Sequence, residues 1–282
     1  MPLLEKAHSH GPITTERPAA VVPDQSRAER TTSFDVADFP MPTGREEDWR
    51  FTPIDRIGVL LRDTPSGEHL ALDSELPAGV TLTRITTEQA RALGARAPQD
   101  RAAVLAVAHA EGALHLDVPA DVVLDEPVRL RQVGHGERVW SHLVVTVGRH
   151  TKAVVVLEHE GAARISEVVS TIVGDGADLT LVSLQEWADE TLHLAQHDVV
   201  VGRDAAVRHV VVSLGGSVVR LNTNATYAAP GGSFEGFGVY FADSGQHLEH
   251  RLFVDHEAPR CRSHVEYKGA LQGETAHTVW VG

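Results

Sequence analysis

Beyond residue 112, apolar side chains fall at alternate positions or in short β-branched runs, and Gly, Pro and Asp break the pattern every few residues. Leu114, Leu116 and Val118 alternate with His115 and Asp117 before the turn at Pro119-Ala120. A period of two predicts half-buried strands. The strongest signal is a repeat. Val147-Gly148 leads to Val154–Leu157, Val173-Gly174 to Leu179, Leu181 and Val182, and Val201-Gly202 to Val207 and Val210–Val212. The Val-Gly pairs stand 26 and then 28 residues apart. Self-similarity at this period is the signature of a solenoid, and the repeated unit is β-branched with no run long enough for a helix. The fold class predicted is mainly β: a parallel β-helix over residues 113–282, behind a small N-terminal helical region.

A single coil cannot bury its apolar face, so each coil must stack on the next to close a core. Each buried Val or Leu contributes about 1.5–3 kcal/mol, which lets the stack dispense with a disulfide or structural metal. A solenoid also needs a terminal cap, and residues 252–282 are β in character and stop in mid-pattern at Val281-Gly282. The expectation is a fragment truncated at its C-terminal end, or an end covered by another chain. The isolated chain is expected to self-associate through residues 252–282.

Upstream, residues 1–42 are rich in Pro, Thr, Ala and charge, and read as a disordered arm. Residues 43–112 read as a small α/β region. Trp49 and Phe51 are expected to pin the arm to the body, with Pro53 as a helix stop. Residues 54–80 read as short strands and loops. Thr86 and Gln89 form a capping-box pattern that starts a helix over 87–93, stopped by Gly94. Asp100 caps a second helix running through Val104, Leu105 and Ala108 to Gly112.

Composition narrows the function. The formal charge of −14 argues against nucleic acid, because nothing would neutralise phosphates in bulk. With Cys261 as the one cysteine there is no disulfide framework, and a reducing, cytoplasmic setting is expected. Residues 1–30 lack the apolar segment of a signal peptide, and the apolar run 102–108 is too short to span a bilayer.

Candidate chemistry is sparse. Cys261 lies between Arg260 and Arg262, which would lower a thiol pKa, but strand alternation places it inward with Ser263, Val265 and Tyr267. Among the 17 histidines, His8 and His10 fall in the arm, His193 and His197 share a strand face, and His247, His250 and His256 cluster in sequence. Solvated histidines on the outside of the coils are the expected reading, with His256 and Cys261 kept as metal-ligand candidates. Asp255 and Glu257 share a face at strand spacing, a weak sign of paired-carboxylate hydrolysis. No phosphate loop, nucleophile elbow or zinc spacing is present.

Several segments together resemble one family. These are Glu46-x-x-Trp49-Arg50-Phe51-Thr52, Gly112 followed by Val118-Pro119 and Glu126-Pro127-Val128, the Val-Gly coils, and Val254-Asp255-His256-Glu257-Ala258-Pro259 running into Ser263 and Tyr267-Lys268-Gly269. The chain resembles the SufB/SufD scaffolds of the SUF iron-sulfur cluster assembly machine from about residue 46 to 282. The SufD branch is favoured, because SufB-type chains carry a cysteine in the coil matching residues 222–236 and this chain has none. The resemblance implies a right-handed parallel β-helix that is not an enzyme. It also implies pairing with a SufB-like subunit and a SufC-like ATPase, and a transient iron-sulfur cluster at the level of the complex rather than a cofactor held by this chain. His256, Pro259 and Ser263 match family positions read as structural. The family's C-terminal Cys-x-His-Gly stretch and ATPase-binding helices have no counterpart in these 282 residues, so no cluster ligand carries over. Two β-helix rivals, a polysaccharide lyase or hydrolase and a hexapeptide-repeat acyltransferase, would need clustered acids with Arg or Lys, or a six-residue beat. A pure interaction scaffold is the remaining alternative.

Overall fold

The alternation that starts at residue 113 becomes strands whose inward side chains meet across a closed lumen. A computed structural model describes residues 30–282, and residues 32–282 form one unit. Its strands are β1 (Ala71–Glu75), β2 (Thr81–Ile85), β3 (Ala113–Val118), β4 (Val128–Val147), β5 (Lys152–Val173), β6 (Asp178–Trp187), β7 (Leu192–Val201), β8 (Ala206–Ser213), β9 (Val218–Tyr227), β10 (Ser233–Ala242), β11 (His247–Asp255), β12 (Arg262–Leu271) and β13 (His277–Val281). The strand order is β12-β10-β8-β6-β5-β7-β9-β11-β13. Every pairing along that path is parallel. Successive strands therefore alternate between two walls, and the long β5 belongs to both. The result is a parallel β-helix of about six turns, as the repeat predicts.

The Val-Gly pairs sit at the corners where each coil meets the next. Gly148 N–H donates to the Val118 carbonyl at 2.9 Å, Gly174 to Val147 at 2.8 Å and Gly202 to Val173 at 3.0 Å. The valine of one corner thus accepts from the glycine of the next, which is why the pair recurs as a unit. The backbones approach so closely that a Cβ added at Gly174 would lie 2.7 Å from the Arg149 nitrogen. β4 and β5 turn between walls without a loop. Gly161 takes a left-handed φ of 77° opposite Gly134, and the β4 register shifts between His135 and Arg138. Inside, Val155, Leu157, Leu179, Leu181, Val207 and Phe234 are among the buried residues that fill the apolar half of the lumen.

The N-terminal region covers one wall. Helices α1 (Ile54–Ile57), α2 (Thr87–Ala92) and α3 (Arg101–His109) are joined by β1, paired antiparallel with β4, and β2, paired antiparallel with β3. Both halves of the Thr86–Gln89 capping box form, and the Asp100 side chain accepts from the Ala103 N–H, as read from the sequence. Asp100 has a second task. It meets Arg220 of β9 at 2.6 Å and accepts from Asn222 at 3.0 Å. Arg220, only 1% exposed, also faces Glu249 at 3.4 Å and lies 4.1 Å from the centre of the Trp49 ring. One buried network therefore fastens the N-terminal cover to the solenoid.

The sequence reading departs from the structure upstream. Residues 54–60 are helical rather than strand or loop, and Ile57, Leu60 and Leu61 are buried against Leu192, Leu194 and Val218. Pro53 stands at the N-cap of α1 and so opens a helix rather than stopping one. Trp49 is buried but Phe51 is exposed, so a single aromatic does the pinning. Within the expected arm, a short helical turn spans Val36–Asp38, and the Phe39 carbonyl accepts from Arg101 at 2.5 Å. Residues 1–29, with His8 and His10, lie outside the described residues. No helix among the described residues is long and apolar enough to cross a membrane.

Replacing Gly174 with Ala forces a methyl group into the Arg149 backbone of the coil below. The expected loss is about 1–3 kcal/mol, as for overpacking elsewhere. Chemical denaturation of G174A checks this, and an unchanged midpoint would contradict the corner geometry.

Candidate functional site

Inward positions of a β-helix should be apolar, and for most of this lumen they are. The densest exception is a polar layer in the early coils. Parallel register stacks Gln132, His159, Gln185 and Ser213 in one column of the first wall. In the second wall Ser141 stacks on Glu167, and His193 lies on the column of Val139 and Ile165. The two columns meet across the lumen. Glu167 Oε2 lies 3.3 Å from His159 Nε2 and 3.5 Å from His193 Nε2, with all three side chains 0% exposed. Gln132 Nε2 reaches His159 Nε2 at 3.2 Å and Glu167 Oε1 at 3.4 Å, and Ser141 Oγ donates to Glu167 Oε1 at 3.5 Å. Trp187 closes the far side, its indole N–H donating to His193 Nδ1 at 3.1 Å.

The electrostatics follow from burial. Burial works to raise the Glu167 carboxyl, but His159 and His193 outweigh it and hold the group well below the usual carboxylate range. Burial depresses His193 despite Glu167 beside it, so that ring stays neutral. Its Nδ1 accepts from Trp187, which places the proton of the neutral ring on Nε2, facing the carboxylate. Even so, neither Glu167 Oε2 nor His193 Nε2 makes a hydrogen bond of good geometry. Further along, His197 Nδ1 lies 3.1 Å from His209 Nε2, both rings fully buried. Burial lowers His197 well below the ordinary value and His209 to about 4.

These histidines correct the expectation of solvated rings on the coil surface. His193, His197, His247 and His250 are all buried. His193 and His197 do share a face, but it is the lumenal one, and each meets a partner from another strand rather than the other. His256 is exposed, with Nε2 3.0 Å from Ser263 Oγ and its ring 5.0 Å from that of Tyr227. Cys261 is half-buried against the core, with Sγ 3.7 Å from the Ala229 carbonyl. Asp255 and Glu257 are both exposed. Among the described residues, the one group of three ionisable side chains arranged to hold an ion is His159, Glu167 and His193, which includes neither His256 nor Cys261. Sequence reasoning missed it although the parity was visible: His159 follows Val155 and Leu157, Glu167 stands between Ile165 and Val169, and His193 precedes Ala195, Val199 and Val201 at even spacing.

Comparison with known proteins agrees with this fold. A family model described as the SufBD core domain of SUF system FeS cluster assembly matches residues 130–282. Iron-sulfur cluster assembly SufBD family proteins of Mycobacterium bovis and Mycobacterium tuberculosis are 41% identical over 267 residues, covering 91% of this chain and 67% of each relative. A SufBD family protein of Mycobacterium leprae is 40% identical over 261 residues, covering 89% of this chain and 66% of the relative. The chain thus spans about two thirds of the length of these relatives.

The buried histidines set a pH dependence of stability. Burial holds His142, His209 and His250 at about 4 in the folded chain, against about 6.5 unfolded. Their stabilising share is complete above 6.5 and is lost as pH falls toward 4, because the unfolded chain takes up protons first. Asp198, raised to about 6 by burial, runs the other way, becoming cheaper to bury as it protonates below that value. Three histidines against one carboxylate give a net loss on acidification. The denaturation midpoint is expected to fall steadily between pH 6.5 and 5, and a flat or rising profile would contradict these assignments.

Proposed function

The chain belongs to the SufBD family of iron-sulfur cluster assembly proteins, and on that premise we propose that it is a SufD-like scaffold subunit of the SUF system. It pairs with a SufB-like subunit and a SufC-like ATPase in the cytoplasm. The iron-sulfur cluster is cargo formed at the level of the complex rather than a resident cofactor. The SufD assignment draws on the lack of cysteine in residues 222–236. Neither a nucleic acid nor a membrane is part of the proposal. The role is structural rather than catalytic, in keeping with relatives named as assembly proteins.

The observation that carries the partner reading is the wall that the N-terminal region, among the described residues, leaves bare. On the outside of β5, β6, β8 and β10, register aligns Val156, Val182, Val210 and Phe237 in one column, and Leu184, Val212 and Val239 in the next. All are half-buried or exposed, and Val239 is 52% exposed. The ion pairs Arg208–Glu235, at 2.7 Å, and Arg129–Glu158, at 2.7 Å, flank them. An apolar stripe with a charged rim across several strands is the anatomy of a protein-docking surface. On the opposite wall the apolar residues Leu192, Leu194 and Val218 are already covered, by Trp49, Ile57, Leu60 and Leu61.

Co-expression of the chain with the SufB-like and SufC-like subunits of its own organism, followed by size exclusion, tests both layers of the proposal. A stable complex is expected with the natural chain, and V210E/V239E is expected to weaken it at least tenfold while leaving the fold intact. No complex with the natural chain would contradict the scaffold role. An undiminished complex with V210E/V239E would move the docking surface elsewhere.

A further inference from the structure

The polar layer is costly to bury. A fully buried carboxylate without a well-formed hydrogen bond on Oε2 is a destabilising feature unless something else satisfies it. Three facts indicate what that something is. First, the donor set is two imidazoles and one carboxylate, which suits Fe2+, Co2+ and Zn2+. Second, the spacing fits. Metal–ligand bonds of about 2.0–2.1 Å in a tetrahedron place neighbouring donors about 3.3 Å apart, and the observed separations from Glu167 Oε2 are 3.3 and 3.5 Å. All three ligand atoms lie within 4.8 Å of one another. Third, Glu167 Oε2 and His193 Nε2 approach each other without hydrogen-bond geometry, although both are fully buried. Atoms that face a common point rather than each other are arranged as ligands are.

There is also a way in. A cavity of about 230 Å³ opens beside β4, with His69, Arg84, Gln132, Ser141 and His142 among its lining. Gln132 and Ser141 are the residues that touch His159 and Glu167. They separate the cavity from the cluster by one layer of side chains, and the Gln132 amide oxygen can supply a fourth donor once the amide turns.

We propose that His159, Glu167 and His193 form an internal binding site for a single first-row divalent transition-metal ion, entered through the Gln132–Ser141 layer. The site is separate from the exposed His256 and the half-buried Cys261, and it does not depend on the partner assignment above. Loading has a built-in signature. While Trp187 donates to His193 Nδ1, the ring proton sits on Nε2. An ion taken up through Nε2 requires that proton on Nδ1, so the Trp187 contact must break. Ion uptake therefore moves the Trp187 indole.

Equilibrium dialysis of the purified chain against Zn2+, with Co2+ as a visible-absorption probe of geometry, tests the site. The expected result is one tightly bound ion per chain, a tetrahedral Co2+ spectrum and a change in tryptophan fluorescence absent from W187F. E167Q, which preserves shape, is expected to weaken binding about 100-fold or more, since loss of even an outer partner of a ligand typically costs about 10–100-fold. The exposed-site control H264Q is expected to bind like the natural chain. Absence of stoichiometric binding, or equal binding by a folded E167Q, would overturn the proposal. If E167Q fails to fold, anomalous diffraction at the zinc edge from crystals of the natural chain decides. A peak among the three side chains supports the site, and a peak elsewhere or none refutes it.

Discussion

Everything in this molecule depends on one constraint: parallel strands stacked in register, so that each side chain sits directly above its counterpart in the coil below. Register decides which residues share the lumen, and a slip of one residue would turn every inward side chain outward. It also explains the repeat. The corner bond from each Gly N–H to the Val carbonyl of the preceding coil exists only at this spacing, and the backbone there leaves no room for a side chain. Stability, the closed interior and the two outer walls are consequences of the same ladder.

The two walls have different fates because of what the N-terminal region brings to them. Asp100 caps α3 and pairs with Arg220, so forming the helix and docking it on β9 are one event. A buried ion pair of this kind is weak evidence for stability by itself. Here it fixes orientation, since Arg220 also faces Glu249 and the Trp49 ring and will accept only one placement of the cover. Among the described residues the other wall keeps its apolar columns open, and the proposed docking rests on that asymmetry.

The solenoid was legible because its signal repeats: Val-Gly corners, β-branched runs and a steady period outweigh local noise. Both cap-initiated helices were legible because Thr86, Gln89 and Asp100 carry their own hydrogen-bond logic. Residues 54–60 were not, since a four-residue helix and a single helical turn give no periodicity, and their burial depends on Leu192, Leu194 and Val218 far along the chain. The internal cluster was only half legible. Alternation places His159, Glu167 and His193 on inward faces, yet sequence habit assigns polar residues to solvent. Only the closure of three separate strand segments shows that they converge on one point.

Disulfide trapping tests the register most directly. In a background where Cys261 is replaced by Ser, V182C/V210C places two thiols on outward, paired positions of β6 and β8. Neighbouring strands lie about 4.8 Å apart, inside the range that a disulfide spans. Mild oxidation is expected to close V182C/V210C within the chain and to leave V182C/V211C, with one thiol turned into the lumen, reduced. Closure of V182C/V211C instead would mean that the coils stack one residue out of step, and that the lumen holds a different set of side chains.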